Sequence, residues 1–512
     1  MDSYLFLVIA LLILAIGDLV VGVSNDAVNF LTSAIGSKVA SRKVILIIAA
    51  AGVFAGAAFS SGMMEVARKG IFNPSFFSFA DVIVIFMAVM ITDILLLDGF
   101  NSLGLPTSTT VSIVFELLGA AVMVGLLMTH ADATKDHSIL ELINTSKASQ
   151  IIAGIFLSIG VAFSVGALTQ WLSRLWFTFN LRKGTKRFGA FFAAICMTII
   201  TYFLLIKGIK GADFGAGVNR FIKENTLSIV GLSFAGSFAI LWLLQRMAGV
   251  NPLKIVVLAG TFSLAMAFAG NDLVNFIGVP ITGYQSYFLW QDSGLLADAF
   301  MMSSLAESVQ TPRLLLYLAG AIMVVTLWLS AKAQRVTSTS VQLGSQGKVD
   351  ERFKPNLVSK GIITAALGFK DFFTAAMPNK TLAAIDRRFA FEEVTDENKP
   401  AFDLLRASVN LVIASILIAF ASSLKLPLST TYVSFMVAMG ASLADKAWGA
   451  GSAPYRVAGV VNVIGGWFLT AAGAFTASAI VALIIFYGGN YTALALFAIA
   501  IVVLIRSNLR KK

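Results

Sequence analysis

Hydrophobic runs of membrane-spanning length recur along almost the whole 512-residue chain, near residues 4–23, 43–63, 81–98, 107–129, 149–171, 188–206, 227–247, 253–270, 313–331, 403–424, 428–445, 455–486 and 491–505. A bilayer core about 30 Å thick takes about 20 helical residues per crossing, so the pattern predicts an all-α integral membrane protein of about 12–13 transmembrane helices. Met1-Asp2-Ser3 leads into the first run without a basic stretch, and no cleavage site precedes the polar Ser24-Asn25-Asp26, so that run reads as a retained span. The one long polar interruption divides the chain into a first membrane half (1–247), the start of a second (248–331), a cytoplasmic loop insertion (332–400), and the remainder with a C-terminal span (401–512). Within the insertion, the apolar stretch 357–377 reads as a loop subdomain in preference to a helix on the membrane surface.

Composition narrows the class. Hydrophobic residues make up 58% of the chain and charged residues only 13%, against roughly 25% charged in soluble domains. A soluble enzyme, a disordered chain and a single-anchor protein are excluded. The net charge of +11 does not point to nucleic acid, because many Lys and Arg residues cluster in alternate loops: 38–43, 174–187, 332–399 and the tail from Arg506. That is the positive-inside bias of a bacterial-type inner membrane. It puts the N-terminus outside and the C-terminus in the cytoplasm, with Arg68, Lys69, Lys207, Lys210, Arg220 and Lys223 as exceptions. The lone Cys196 cannot form an intrachain disulfide.

The two halves repeat each other. Asn25-Asp26-Ala27-Val28-Asn29-Phe30 returns as Asn271-Asp272-Leu273-Val274-Asn275-Phe276, and Leu105-Pro106-Thr107-Ser108-Thr109-Thr110 returns as Leu426-Pro427-Leu428-Ser429-Thr430-Thr431. The paired motifs lie 81 residues apart in the first half and 156 in the second. The excess is close to the length of the polar insertion. Seven predicted spans separate the two repeat starts, and an odd number makes the second copy enter from the opposite side, so the repeats are expected to be inverted, with discontinuous or re-entrant segments.

Each motif carries its own chemistry. In Asn-Asp-x-x-Asn the Asp and the second Asn share a helix face, and an ionised carboxylate at membrane depth costs at least about 2.5 kcal/mol unless a cation, proton or partner meets it. Asp26 and Asp272 with Asn25, Asn29, Asn271 and Asn275 make a hard all-oxygen set suited to a small cation. Helix-end capping is the plain alternative, and recurrence in matched places weighs against it. Pro-x-Ser-Thr-Thr suits a helix start, where free N–H groups, the dipole and hydroxyls favour an anion; helix punctuation with close packing of small residues is its alternative. Asp18, Glu65, Arg68, Lys69, Asp93, Asp98 and Glu116 also lie in or beside apolar runs. Taken singly, such groups are more often paired or interfacial than functional; Glu116 could carry a coupling proton. His130 and His137 fall in or beside a loop and read as solvated.

These motifs resemble the PiT family of inorganic phosphate transporters. The likeness runs from about residue 17 to 480, broken by the 332–400 insertion, and includes Gly36-Ser37-Lys38 and Ile277-Gly278 after the two Asn-Asp stretches. It implies that Asp26, Asn29, Asp272 and Asn275 help bind coupling cations, and that Ser108, Thr109, Thr110, Ser429, Thr430 and Thr431 surround phosphate between the repeats. The chain departs from the family at Val111 and Tyr432, where a His is usual, and at Thr32, where a Gly is usual. A proton-handling role for that His is put in doubt.

The expectation is a secondary symporter that imports inorganic phosphate across the inner membrane by alternating access, with no organic cofactor and no nucleic-acid partner. Na⁺ at Asp26 and Asp272, or H⁺, would be the coupling ion. A sulfate permease of the same fold and an anion channel are the alternatives. An enzyme is not expected, for no phosphate-binding glycine loop, His metal cluster or base-assisted nucleophile is found. Assembly as a homodimer is left open.

Overall fold

In the computed structural model, residues 3–58, 60, 70–104, 106–131, 138–207, 216–306, 312–345, 360, 361, 364, 378–389, 400–445 and 453–509 are described. Glu65, Arg68, Lys69, His137 and all of the 357–377 stretch but residues 360, 361 and 364 lie outside them. The principal helices are α1 (Ser3–Asp26), α2 (Val28–Gly36), α3 (Arg42–Ala58), α4 (Phe79–Leu103), α5 (Thr109–Ala131), α6 (Thr145–Phe177), α7 (Leu181–Thr201), α8 (Thr226–Met247), α9 (Pro252–Ser293), α10 (Arg313–Leu329), α11 (Ala331–Gly344), α12 (Leu404–Ser423), α13 (Thr430–Ala444) and α14 (Ala453–Leu509). Every predicted apolar run lies largely on one of them. Among the described residues, nine helical segments are long and apolar enough to cross a membrane, and α10 with α11, bent by 70°, makes a tenth.

Two departures from the predicted runs matter for the site. The first and eighth runs were expected to end before their Asn-Asp motifs, yet the helices continue through them. Ala27, between α1 and α2, keeps helical angles (φ −54°, ψ −27°), and α9 extends for 42 residues with Asp272 near its middle. The Asn-Asp pairs are therefore not helix caps. The polar stretch from 332 also begins inside the packed body, because Val336 and Thr337 of α11 are buried.

Helix ends follow local chemistry. Ser78 accepts from Asp81 N at 3.2 Å while Asp81 Oδ2 accepts from Ser78 N at 3.0 Å, a capping box that starts α4. Asn251 caps α9 ahead of Pro252, and Asp403 caps α12.

The bundle has two ends. At one, Tyr4, Phe79 and Trp290 pack together, with the Phe79 and Trp290 rings stacked at 4.7 Å, and Asn490 donates to Ser3 Oγ. At the other, Arg174 Nη2 lies 2.7 Å from both Asp403 and Asp445, and Arg406 donates to Gly344 O and Ser442 Oγ. The termini lie at opposite ends, since α14 turns at Gly489 beside Ser3 and runs back to Ser507, which touches Lys332 and Ser102.

Two hairpins enter from these opposite ends. Helices α4 and α5 come from the aromatic end, where the segment before α4 bonds to Leu142 and Asn144, and turn between Gly104 and Pro106. Helices α12 and α13 come from the Arg174 end and turn around Leu424–Ser429. Their outer partners are exchanged: α5 packs on α14, and α13 packs on α6. A Cβ on Gly119 would strike the carbonyl of Phe475, and one on Gly440 the carbonyl of Phe163, so only glycine permits these crossings. Gly119 and Gly440 are each nine residues beyond the last motif Thr.

Candidate functional site

The hairpin tips meet the middles of α1–α2 and α9. Ser108 Oγ accepts from Val111 N and Ser429 Oγ from Tyr432 N, each at 3.1 Å, so the serines cap α5 and α13 as expected of a Pro-x-Ser-Thr-Thr start. The four threonines turn their hydroxyls to the carboxylates in a crossed pattern. Thr109 of the first repeat and Thr431 of the second donate to Asp26 at 2.8 and 3.0 Å. Thr430 of the second repeat and Thr110 of the first donate to Asp272, the latter at 3.1 Å.

The second asparagines repeat the crossing. Asn29 donates to Thr430 and Thr431 at 3.2 and 3.1 Å, and Asn275 to Thr109 and Thr110 at 3.3 and 3.0 Å. The first asparagines brace the hairpin tips. Asn25 receives Thr107 N at 3.0 Å and donates to Asn101 at 2.7 Å. Asn271 donates to Leu428 O at 2.9 Å and accepts from Ser422 at 3.1 Å. Thr107 and Leu428 are 321 positions apart, as are Asn101 and Ser422. The structure thus joins all twelve predicted site residues in one cluster, each no more than 7% exposed. Asn101 and Ser422 were missed by the motif search, although the constant offset between repeats points to them.

Electrostatically the cluster is one-sided. Two carboxylates sit among hydroxyls and amides, and among the described residues neither forms an ion pair with Lys or Arg. The first-turn N–H groups of α5 and α13 have no intrahelical acceptors. Carboxylate, hydroxyl and amide oxygens can ligate a hard cation, and the paired helix starts can hold an oxyanion beside it. A small cavity of about 20 Å³ borders Asn29 and Thr431 on the side of the Arg174 end, lined also by Pro106, Thr32, Ser340 and Ser434. Val111 and Tyr432 are buried, with the Tyr432 ring stacked on Trp467 at 3.8 Å.

The model for the phosphate transporter family matches residues 22–340, more than half of the chain. The chain belongs to the phosphate transporter family. The members of that family are transporters, not enzymes. Family relatives include a "Putative phosphate permease" of Pyrococcus horikoshii, 24% identical over 269 residues covering 50% of this chain and 61% of that one. One of the same name from Thermococcus kodakarensis is 23% identical over 269 residues, again 50% of this chain and 61% of that one. The matched region thus spans about three fifths of the relatives' length. The solved structure named "The sodium-dependent phosphate transporter" is 16% identical, with a TM-score of 0.64 covering 94% of this chain and 99% of that one, a likeness of fold.

Proposed function

We propose that this member of the family imports inorganic phosphate by symport with a small monovalent cation, Na⁺ in the first instance, through alternating access around the crossed cluster. The observation that carries the reading is that each carboxylate is held by one hydroxyl from each repeat. A cation taken at Asp26 or Asp272 draws on oxygens of both repeats, and its arrival or departure changes how the hairpin tips meet. Phosphate belongs between the starts of α5 and α13, beside the cations that offset its charge. The arithmetic sets the need for two: each negative charge moved into a negative-inside cell costs about 2.3 kcal/mol per 100 mV, and a divalent phosphate with two cations escapes that cost.

In this reading the Arg174 end faces the cytoplasm, consistent with the positive-inside bias, and the cavity beside Asn29 and Thr431 is the route of release. The test is labelled phosphate uptake into proteoliposomes, with and without an inward Na⁺ gradient at equal pH on both sides. Accumulation that requires the gradient supports the proposal. Downhill flux with no cation requirement would mean a channel, and sulfate uptake in preference to phosphate would mean a sulfate permease; either would overturn it.

A further inference from the structure

Asp18 lies eight residues before Asp26 on α1, and Asp93 of α4 and Glu116 of α5 stand beside it. All three are wholly buried. Asp93 neighbours Ser112, Asp18 and Glu116, and Ser112 donates to Glu116 Oε1 at 2.7 Å. Both oxygens of Asp18, both of Asp93 and Oε2 of Glu116 have no donor among the described residues.

The fold does not require acids at this place. The repeat offsets map Asp18, Asp93 and Glu116 onto Leu264, Ala414 and Val437, which are buried and apolar. One repeat closes the position with hydrocarbon and the other with three carboxyl groups. Among the described residues, the surrounding helices bring no cation to them. Lys332 of α11 is taken by Asp98 at 2.5 Å, and Arg335 of the same helix is exposed; Lys254 of α9, Arg313 of α10, and Arg456 and Arg506 of α14 sit near helix ends. His130 is at the far end of α5, and the remaining acids nearby are Asp26 and, across from it, Asp272. Carboxyl groups pressed together away from water cannot all ionise. Each contact sets acceptor against acceptor, and a proton converts one of them into a donor. Among the described residues, no group of three or more His, Cys, Asp or Glu could hold a metal ion.

We propose that Asp18, Asp93 and Glu116 form a proton-binding site present in the first repeat alone, and that its proton is exchanged during the transport cycle. The second clause rests on the reading of the chain as a cation-coupled phosphate symporter; the first does not. The helices supply the linkage. Glu116 is seven residues along α5 from Thr109, whose hydroxyl holds Asp26, and Asp18 is on the helix that carries Asp26. A movement that parts Thr109 from Asp26 also shifts Glu116 against Asp18 and Asp93.

Two measurements on the reconstituted full-length protein test this. Infrared spectra at neutral pH should show the carbonyl stretch of protonated carboxyl groups in the parent, reduced in Asp93→Asn and lost in the Asp18→Asn/Asp93→Asn/Glu116→Gln triple variant. The dependence of steady-state phosphate accumulation on an imposed pH difference should be steeper in the parent than in the triple variant. The expected difference is about tenfold per pH unit for one proton, and the protons that phosphate itself carries cancel in the comparison. A parent without the band, or a triple variant with the parent's band, overturns the site. Equal slopes in transporting parent and variant overturn the coupling. If the parent moves no phosphate, the transport reading and the coupling fall together, and the infrared band still decides the site.

Discussion

The crossed hydroxyls make a prediction that a simpler two-site picture does not. Thr431→Val keeps the side-chain volume and removes the hydroxyl that the second repeat lends to Asp26 at 3.0 Å. Hydrogen bonds to charged groups contribute about 1.5–3 kcal/mol, which is roughly 10- to 150-fold in an affinity. Asn29 keeps Thr430 as an acceptor at 3.2 Å when Thr431 Oγ1 is lost, so the lower part of that range applies. The half-saturating Na⁺ concentration for phosphate uptake in proteoliposomes should therefore rise about tenfold. The decisive comparison is between double variants. Thr109 and Thr431 lie on different repeats but share Asp26, whereas Thr430 and Thr431 are neighbours on one helix and serve different carboxylates. Charge-assisted bonds are roughly twice as strong as neutral ones, so sharing a carboxylate should couple two residues more than sharing the Asn29 amide. Combining Thr109→Val with Thr431→Val should depart from additivity more than combining Thr430→Val with Thr431→Val. The reverse order would show that the crossed pattern is not the arrangement that binds the cation.

Asp26→Asn and Asp272→Asn should each remove one cotransported charge; at an imposed −100 mV, about 2.3 kcal/mol of driving force is lost, or roughly 50-fold in phosphate accumulation, and unchanged accumulation in both would remove the cation sites. Gly119→Ala and Gly440→Ala should each destabilise the purified protein by about 1–3 kcal/mol through overpacking, read as a lower melting temperature, while Gly99→Ala, with nothing within 4 Å of its Cβ position, should be neutral. At the Arg174 end of α12, burial opposes ionisation of Asp403, but Arg174 at 2.7 Å outweighs it and holds the carboxyl below its ordinary value. Its stabilising contribution is thus complete above the unfolded pKa of about 3.9 and is lost as pH falls through the lower folded value. The difference in melting temperature between the parent and Asp403→Asn should hold steady from neutral pH down to mild acid and shrink only in strong acid.

Much of the site was legible because duplication fixes it twice. A lone Asn-Asp could cap a helix, and a lone Pro-Thr-Ser-Thr-Thr could be punctuation, but paired copies in one order leave little room for either. What the chain could not reveal was which hydroxyl meets which carboxylate. That depends on contacts between residues 83 to 405 positions apart, and a repeat search aligns Thr109 with Thr430 without showing that they serve different acids. The continuation of α1 into α2 escaped the hydropathy pattern for a related reason, because polar residues at a packed core read locally as the end of an apolar run. Asp18, Asp93 and Glu116 were each visible as charges in apolar surroundings; only the packing of α1, α4 and α5 brings them together.

The exchange of outer partners bears on how the protein is made. The groove of α5 in the first half is filled by α14, made only after the thirteen helices before it, while α13 must find α6, inserted long before it. Neither half can complete its own packing, so the carboxylates at Asp26 and Asp272 wait, partly assembled, until α14 has been made. Two separately expressed halves should consequently be unstable alone and rescue one another when produced together.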